Sequence, residues 1–544
     1  MTDAPEGAEP AKDDLRPITF SILTPVWNTD PDVLRATIES VLHQDYPYWQ
    51  LCLVNDASTR PETVHVLDHY ARFDPRVRVR HRQENGGISA ASNDAIAMSV
   101  GEYTALLDHD DLLSLDALGA VAHEIYLDPT LDVIYSDEDK VDMEGNTFGE
   151  YFKPGWSPEL LFGQMVNGHL TVYRSSLISA VGGFRPECMG SQDWDLALRI
   201  TERTDRIKHI PRLLYHWRQV PGSTSVDVQA KPYTITAARK AIGDALQRRG
   251  IRGHVEDSFI GGHFHVRYDL TEEPKVSVII PTAGGHREVR GEDVRLIDRC
   301  LRGLVDRTDY ANLEIVVVLS PGTDPALRDE LLAIDGERLR FVEMDGTWTF
   351  SRAINLGAAA ATGELLLMLN DDVEPAEADW LRRLVELSVQ PGIGAVGPKL
   401  LFEDGTIQHA GIVGVGGNPV HNVRRWQDGP GYFGELMLTK NYLAVTGACL
   451  LTRASDFWSV GGLSDEFPVN FNDIDYCLKL YRRGLRNVFE PQAVLYHYES
   501  SSRPPTVSVD EMARFTQRWG HVMGQDPYFT APHAAYLLPH FALT

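Results

Sequence analysis

An internal repeat constrains this chain more than any other feature. Two segments run through one programme in one order. The first opens with Ile18-Thr-Phe-Ser-Ile-Leu-Thr-Pro25 and the second with Val276-Ser-Val-Ile-Ile-Pro281. Both are short β-branched runs ending in proline, as buried parallel strands do. Each continues with an amphipathic helix (33–42; about 296–305) and a second strand (Leu51-Cys-Leu-Val54; Ile315-Val-Val-Val318). An Ala-rich helix then precedes Gly-Glu and a strongly apolar strand, 101–107 and 363–369. Both strands run into an acidic cluster, Asp108-His-Asp-Asp111 and Asn370-Asp-Asp372. Later each copy carries a Gly-Gly turn (Gly182-Gly183; Gly461-Gly462), an acidic pair opening a helix, and Tyr-His on a terminal strand.

Alternating strands and helices predict an α/β fold: two tandem Rossmann-like units, each on a mostly parallel sheet, with ligands at the carboxyl ends of the strands. At 544 residues the chain exceeds what one core supports. The expected division is a disordered tail over 1–16, a first domain over 17–225, a helix-and-hairpin connector over 226–272, a second domain over 273–502, and an extension over 503–544 that packs on the second domain. The connector helix is expected from Ala230 to Arg249, the hairpin through Gly261-Gly262, and the extension opens with Pro504-Pro505. Lys+Arg 51 against Asp+Glu 77 gives −26, which repels phosphate backbones and argues against nucleic acid as a partner. Five scattered cysteines without a C-x-x-C pair fit reduced thiols, and no apolar run reaches the length of a membrane span. A cytoplasmic location follows, with at most peripheral association at the inner face of the membrane.

The acidic clusters fall where such sheets bind ligands. Asp108 and Asp110, two apart after a buried strand, suit Mg²⁺ or Mn²⁺ holding a diphosphate, and His216 in Leu214-Tyr-His-Trp217 would complete the set. The plain alternative for one such cluster is a helix cap or solvated turn; its recurrence in both repeats weighs against that. Asp56, in Val54-Asn-Asp-Ala-Ser58, would accept a hydrogen bond from a pyrimidine base, or simply make an Asx-turn. Gln192-Asp193-Trp-Asp195 and Asn472-Asp473-Ile-Asp475 open helices. Asp193 and Asp473 are candidate general bases for an acceptor hydroxyl, and also plausible N-caps.

Together these residues resemble the family 2 glycosyltransferases with the GT-A fold, over nearly everything from 17 to 503. The first copy carries the resemblance in Thr24-Pro-Val-Trp-Asn28, Val54-Asn-Asp-Ala-Ser58, Asn85-Gly-Gly-Ile-Ser-Ala-Ala-Ser-Asn93, Leu107-Asp-His-Asp-Asp111, Tyr135-Ser-Asp-Glu-Asp-Lys140, Tyr151-Phe-Lys-Pro154 and Gly190-Ser-Gln-Asp-Trp-Asp195. The second carries it in Gln408-His-Ala-Gly411, Val445-Thr-Gly-Ala-Cys449, Phe471-Asn-Asp-Ile-Asp475 and Leu495-Tyr-His-Tyr-Glu-Ser500. The combination looks like the tandem enzymes of bacterial O-antigen and capsule synthesis, many of them rhamnosyltransferases. The resemblance implies nucleotide-sugar contacts at Pro25, Val26, Asn28, Asp56, Asn93 and Asp108, and at Pro281, Asn355 and Asn370. It implies metal ligation by Asp110 and His216, and by Asp372 and His497. Asp193 and Asp473 would be the bases of an inverting transfer from a UDP- or dTDP-linked sugar to a glycan or lipid-linked glycan, with Mn²⁺ or Mg²⁺ as cofactor.

Two departures mark the second copy. Ser320 stands where the family usually has the base-binding carboxylate, and its D-x-D begins with Asn370. The readings are therefore a bifunctional transferase with one site per domain, or a single active first domain beside a glycan-binding pseudoenzyme. A sugar-nucleotide nucleotidyltransferase would want a Gly-rich basic loop that Thr24-Pro-Val-Trp-Asn28 lacks. A lectin-like role would leave the duplicated carboxylates unexplained.

Overall fold

A computed structural model describes residues 16–220, 232–499 and 507–537. Ala230 and Pro504-Pro505 lie outside them. Two compact units emerge: residues up to Lys153 with Asn167–Ala245, and Pro154–Val166 with Leu246 onward.

Unit 1 contains strands β1 (Phe20–Val26), β2 (Trp49–Asn55), β3 (Val77–His81), β4 (Tyr103–Leu106), β5 (Leu112–Leu113), β6 (Val133–Val141), β7 (Thr147–Tyr151), β8 (Thr171–Arg174) and β9 (Ile207–Arg218). They form one sheet in the order β3-β2-β1-β4-β8-β6-β9-β5, with β7 added to β6. The first four are mutually parallel. The pleat sends successive residues to opposite faces. Ile22, Leu51 and Leu53 thus meet Leu34, Ile38, Val66 and Leu67 of the helices Pro31–Leu42 and Pro61–Phe73. Leu23, Cys52 and Val54 meet Ala91 and Ala95 of the helix Gly87–Met98. Helices therefore cover both faces, which is why these strands read as unbroken apolar runs. Pro31 at the first helical position and Asp30, whose side chain accepts the Asp32 N–H (3.0 Å), start the first helix just beyond the end of β1.

Unit 2 has β10 (Gly253–Asp257), β11 (Phe264–Tyr268), β12 (Val276–Thr282), β13 (His286–Val289), β14 (Glu292–Arg295), β15 (Leu313–Leu319), β16 (Leu339–Glu343), β17 (Leu365–Leu369), β18 (Val373–Pro375), β19 (Ile393–Leu401), β20 (Ile407–His409), β21 (Ile412–Val415), β22 (Asn418–His421), β23 (Lys440–Tyr442), β24 (Cys449–Arg453) and β25 (Arg486–His497). Its main sheet runs β16-β15-β12-β17-β24-β19-β25-β18. Strand for strand this is the order of unit 1, with the same parallel and antiparallel pairings. The tandem, mostly parallel α/β organisation expected of the repeat is the fold. Unit 2 adds the hairpin β13–β14 between its first strand and the helix Leu296–Asp306. The connector yields a helix, Pro232–Arg248, and the hairpin β10–β11.

The helix Val509–Met523 buries Phe515, Trp519 and Met523 in the unit 2 core, each worth roughly 1.5–3 kcal/mol of apolar transfer. Pro154–Val166 also belongs to unit 2. Ser157 Oγ donates to Asn441 Oδ1 (2.7 Å), Gly155 N–H to the Pro527 carbonyl (2.8 Å), and Glu159 pairs with Arg486 (2.8 Å). No helix among the described residues is long and apolar enough to cross a membrane.

Candidate active sites

In unit 1, β4 delivers the chain to Leu107 and the turn through Asp108–Asp111 returns it to β5, which pairs with β9 at Leu112↔His216. Asp111 is fully buried and fastens this turn. Its carboxylate accepts the Tyr215 hydroxyl (2.6 Å) and the Arg218 N–H (2.7 Å), while the Asp108 N–H donates to the Tyr215 oxygen (3.2 Å). Asp108 remains open, its side chain 45% exposed. Ligand atoms of Asp108, Asp111 and His169 lie within 4.8 Å of one another.

His169 comes from the loop before β8. Its ring stacks on Tyr215 (centroids 4.6 Å apart) with Nε2 3.8 Å from Asp108 Oδ2. Its backbone N–H donates to Glu138 Oε2 (2.7 Å), and the buried Lys153 ammonium bridges Glu138 (2.9 Å), the Asn167 carbonyl (2.8 Å) and the His169 carbonyl. Burial alone would depress the His169 imidazole, but Glu138, Asp108 and Asp111 outweigh it and hold its pKa up at about 9. Although one side of its carboxyl is open, the protein walls around Asp108 desolvate it and, with Asp110, push it up against the pull of His169. Crowded hard oxygens beside an imidazole fit a divalent cation.

Asp110 and His216 stand outside that cluster. Asp110 faces His109 (3.8 Å), and His216 Nδ1 is 2.6 Å from Asp139 Oδ1. The acidic stretch of β6 is thus a scaffold for basic groups. Asp137 holds His209 (2.7 Å) and the Lys153 N–H (2.8 Å), Glu138 holds Lys153 and His169, and Asp139 holds His216.

Asp193 opens the helix Gln192–Thr201. One carboxylate oxygen accepts the Trp194 N–H (2.8 Å); the other accepts no hydrogen bond among the described residues. Its charge is felt at Asp108. Asp195, fully buried, is held by Arg185 (Nε to Oδ1, 3.0 Å) and by Arg199 (Nε to Oδ2, 2.8 Å), and so fixes the helix rather than facing the cleft.

Asp56 is 3% exposed and accepts hydrogen bonds from Arg82 (2.9 Å), Gly86 N–H (2.9 Å) and Gly87 N–H (2.8 Å). It caps the helix Gly87–Met98 from the loop after β2, leaving little acceptor capacity for a base. Asn28 ties the loop after β1 to that after β2: its Oδ1 accepts the N–H groups of Thr59 (2.8 Å) and Arg60 (3.1 Å). Pro25 and Val26 are backbone of β1, paired with Val54 and Asn55, and Pro281 holds the matching place in β12. Asn93 and Asn355 share one structural duty. Each carboxamide exchanges two hydrogen bonds with backbone just beyond a Gly-Gly turn: Asn93 with Phe184 (2.8 Å both ways) and Asn355 with Leu463 (2.8 and 2.9 Å). A Cβ at Gly183 (φ +70°) would sit 2.5 Å from Asn93 Oδ1, and one at Gly462 (φ +66°) 2.6 Å from Asn355 Oδ1. These staples explain the Gly-Gly repeat.

Unit 2 builds its cluster differently. Counted from the first strand, Asn370 occupies the place of Asp108. Counted back from the terminal strand, where Val373↔His497 matches Leu112↔His216, Asp372 occupies the place of Asp111, so the turn is one residue shorter. His169 corresponds to Ala448 in the strand register. Instead His497 enters, with Nε2 3.2 Å from Asp372 Oδ1 and 3.5 Å from Asn370 Nδ2. Burial would raise Asp372, but His497 outweighs it and holds the carboxyl low. Among the described residues Asn370 Oδ1 and Asp372 Oδ1 are buried without a full hydrogen bond and His497 faces them through Nε2; an Asn oxygen, a carboxylate and an imidazole again fit a divalent cation. Asp371 donates nothing, accepts the Thr282 hydroxyl (2.6 Å), and is pushed up to about 7 by burial and by Asp372.

Asp473 opens the helix Asn472–Arg482 after Phe471 at φ +61°. It accepts the N–H groups of Gly447 (2.7 Å) and Ile474 (2.8 Å), and burial pushes its carboxyl up. Ser320 sits where Asp56 does: its N–H donates to the Thr282 carbonyl (2.9 Å) as that of Asp56 donates to Val26 (2.8 Å).

Comparison with known proteins agrees with this geometry. The model of glycosyl transferase family 2 matches residues 21–171 and again 277–461. The chain is 41% identical over 91% of its length to an uncharacterized protein, y4gI, of Sinorhizobium fredii, covering 55% of that protein. It is 34% identical over 97% of its length to the O-antigen biosynthesis protein RfbC of Myxococcus xanthus, covering 40% of it. A chondroitin synthase of Escherichia coli is 31% identical over 43% of the chain and 33% of that enzyme. The chain spans about half the length of the first two relatives. Two family matches on two sheets of one topology, each ending its fourth strand in an acidic turn, leave one conclusion: the chain belongs to glycosyl transferase family 2.

Proposed function

We propose that the chain is an inverting, metal-dependent glycosyltransferase with one site per unit, moving sugars from nucleotide-diphosphate donors, UDP- or dTDP-linked, to a growing bacterial surface polysaccharide. The duplicated constellation carries this reading: an acidic turn after the fourth strand, an imidazole beside it, and a carboxylate at a helix start. The names of the relatives, O-antigen biosynthesis and chondroitin synthase, favour a polysaccharide product.

In this reading Asp193 accepts the proton of the acceptor hydroxyl through the oxygen that takes no hydrogen bond among the described residues, and the acceptor oxygen attacks the anomeric carbon in line as the nucleoside diphosphate leaves. Asp473 does the same in unit 2, its raised pKa bringing it nearer the operating pH of a general base. Asp108, Asp111 and His169, or Asn370, Asp372 and His497, would hold the Mg²⁺ or Mn²⁺, which offsets diphosphate charge when bound. Asp110 and His216 would contact the diphosphate side of the same cleft. One base carboxylate per site, rather than a flanking pair, requires no covalent intermediate.

A second reading confines catalysis to unit 1. Asn370 and Ala448, where unit 1 has Asp108 and His169, favour it. Transfer assays on the full chain, with a panel of nucleotide sugars and Mn²⁺, test both. Transfer that persists in Asp193→Ala and disappears when Asp473→Ala is added supports two sites. Loss in Asp193→Ala alone supports one, and no transfer with any donor removes the proposal.

A further inference from the structure

Beside His497 a cleft of about 520 Å³ opens in unit 2. Arg287, Phe402, Arg424, Arg425 and Tyr498 line it with three carboxylates, Glu403, Asp404 and Glu499. Arg287 belongs to the hairpin β13–β14, for which unit 1 has no counterpart in its chain between β1 and the first helix. The other arginines sit on a strained turn: Val423, buried and β-branched, has φ 45°, and Arg425 has φ 71°. Backbone hydrogen bonds lock it, from Arg425 N–H to the Ile407 carbonyl (2.7 Å) and from Ile407 N–H to the Trp426 carbonyl (2.8 Å). Strain of this kind persists where the surroundings over-determine it, and it concentrates at functional sites.

The turn aims two guanidiniums. Phe402 carries Arg425 at 3.5 Å and Arg424 at 5.0 Å from its ring centroid. Arg424 is committed to Glu499 (2.7 Å). Arg425 donates no side-chain hydrogen bond among the described residues; its nearest carboxylate, Asp404, is 3.6 Å away and both side chains are more than half exposed. Arg287 donates to the Tyr498 and Glu499 carbonyls and stands 3.8 Å from Glu403. The cleft therefore holds a ring-oriented guanidinium with free donors, beside loose ion pairs that an incoming anion can exchange. Such a fork matches a planar carboxylate bidentately, and the neighbouring carboxylates suit the hydroxyls around it.

We propose that this cleft binds an acidic saccharide, a sugar ring whose carboxylate lies on Arg425, and that it gives unit 2 an acceptor preference that unit 1 does not share. The inference rests on reading unit 2 as a sugar-handling site, though not on its being catalytic.

The test is isothermal titration of the full chain with a tetrasaccharide of alternating glucuronate, the same tetrasaccharide with its carboxyls reduced to alcohols, and inorganic pyrophosphate. The acidic tetrasaccharide should bind, and either carboxyl reduction or Arg425→Gln should weaken it at least about tenfold, the loss of one charge-assisted contact. Arg425→Lys, which keeps the charge and loses the fork, should fall between. Equal binding of the acidic and reduced forms, indifference to Arg425→Gln, or no binding overturns the proposal. So does pyrophosphate binding that depends on Arg425 and is not displaced by the tetrasaccharide, which assigns the cleft to a diphosphate instead. No donor or transfer enters the assay, so a catalytically dead chain that binds the acidic form sinks only the transferase reading.

Discussion

The two units share one eight-strand order, to which unit 2 adds β23 on β25, and differ in who holds what. In unit 1 the acidic turn takes its imidazole from the loop before β8, His169, while the terminal-strand His216 is tied to Asp139. In unit 2 the loop offers Ala448, and His497 of the terminal strand moves in. Aligning β6 and β19 on their pairing with β8 and β24 puts Leu401 at the place of Asp139, so nothing there competes for His497. The helix after the third strand shows a similar exchange. Asp56 caps it from the loop after β2 in unit 1, whereas in unit 2 Thr349 caps it locally, accepting the Arg352 N–H (3.2 Å). A carboxylate at Ser320 would have no cap to make. Residues that look like losses, read position by position, are compensated by others on different elements of one sheet.

The comparison breaks most visibly in catalysis. Asp193→Ala and Asp473→Ala should each lower transfer at their own unit by about 10²–10⁴-fold while leaving nucleotide binding intact, measured on the full chain by resolving the two products. Loss of nucleotide affinity in step with rate would place these carboxylates on the donor instead. The next effect is on stability. Asp56→Ala strips three donors in a buried site and should cost unit 1 about 3 kcal/mol, seen as faster amide exchange in the helix Gly87–Met98. Thr349→Ala should cost unit 2 only about 1 kcal/mol at its corresponding helix.

A third effect belongs to unit 2 alone. Asp526 holds the Gly414 and Tyr528 N–H groups (2.8 Å each), and burial pushes its carboxyl up to about 7. Its folded pKa exceeds the unfolded one, so the folded state binds the extra proton between about pH 4 and 7. Its contribution to stability should therefore fall by about 2 kcal/mol as pH rises from 5 to 7, and then level. Urea titrations at the two pH values check this, and Asp526→Asn should remove about 2 kcal/mol of the pH dependence. Smallest of all, Ser320→Ala should change unit 2 stability by less than about 0.5 kcal/mol; a cost like that of Asp56→Ala would mean the helix caps are not exchanged as described.

The repeat, the strands and the acidic helix starts are legible in the sequence because each rests on local pattern: β-branched runs, 3.6-residue periodicity, Asp at an N-terminus. The partners are not. His169 reaches Asp108 only because β8 lies against β4, and Lys153 serves the same loop from inside the protein. Spacing along the chain holds no trace of either. Asp195 and Asp475 stand beside the candidates and differ only in direction; burial turned them to two arginines and to Trp519 (2.8 Å). Asn93 and Asn355 belong to recurring motifs, yet each recurrence is explained by one staple on a glycine turn.

The placement of Pro154–Val166 in unit 2 has a bearing on how this gene can be taken apart. The stretch is encoded within the first repeat, yet its Glu159–Arg486 and Ser157–Asn441 partners are encoded in the second. No single cut in the coding sequence releases a complete second half: a fragment beginning near residue 246 loses those partners, and one ending there carries their apolar helix uncovered. Recombination that shuffled one repeat without the other would inherit the same defect.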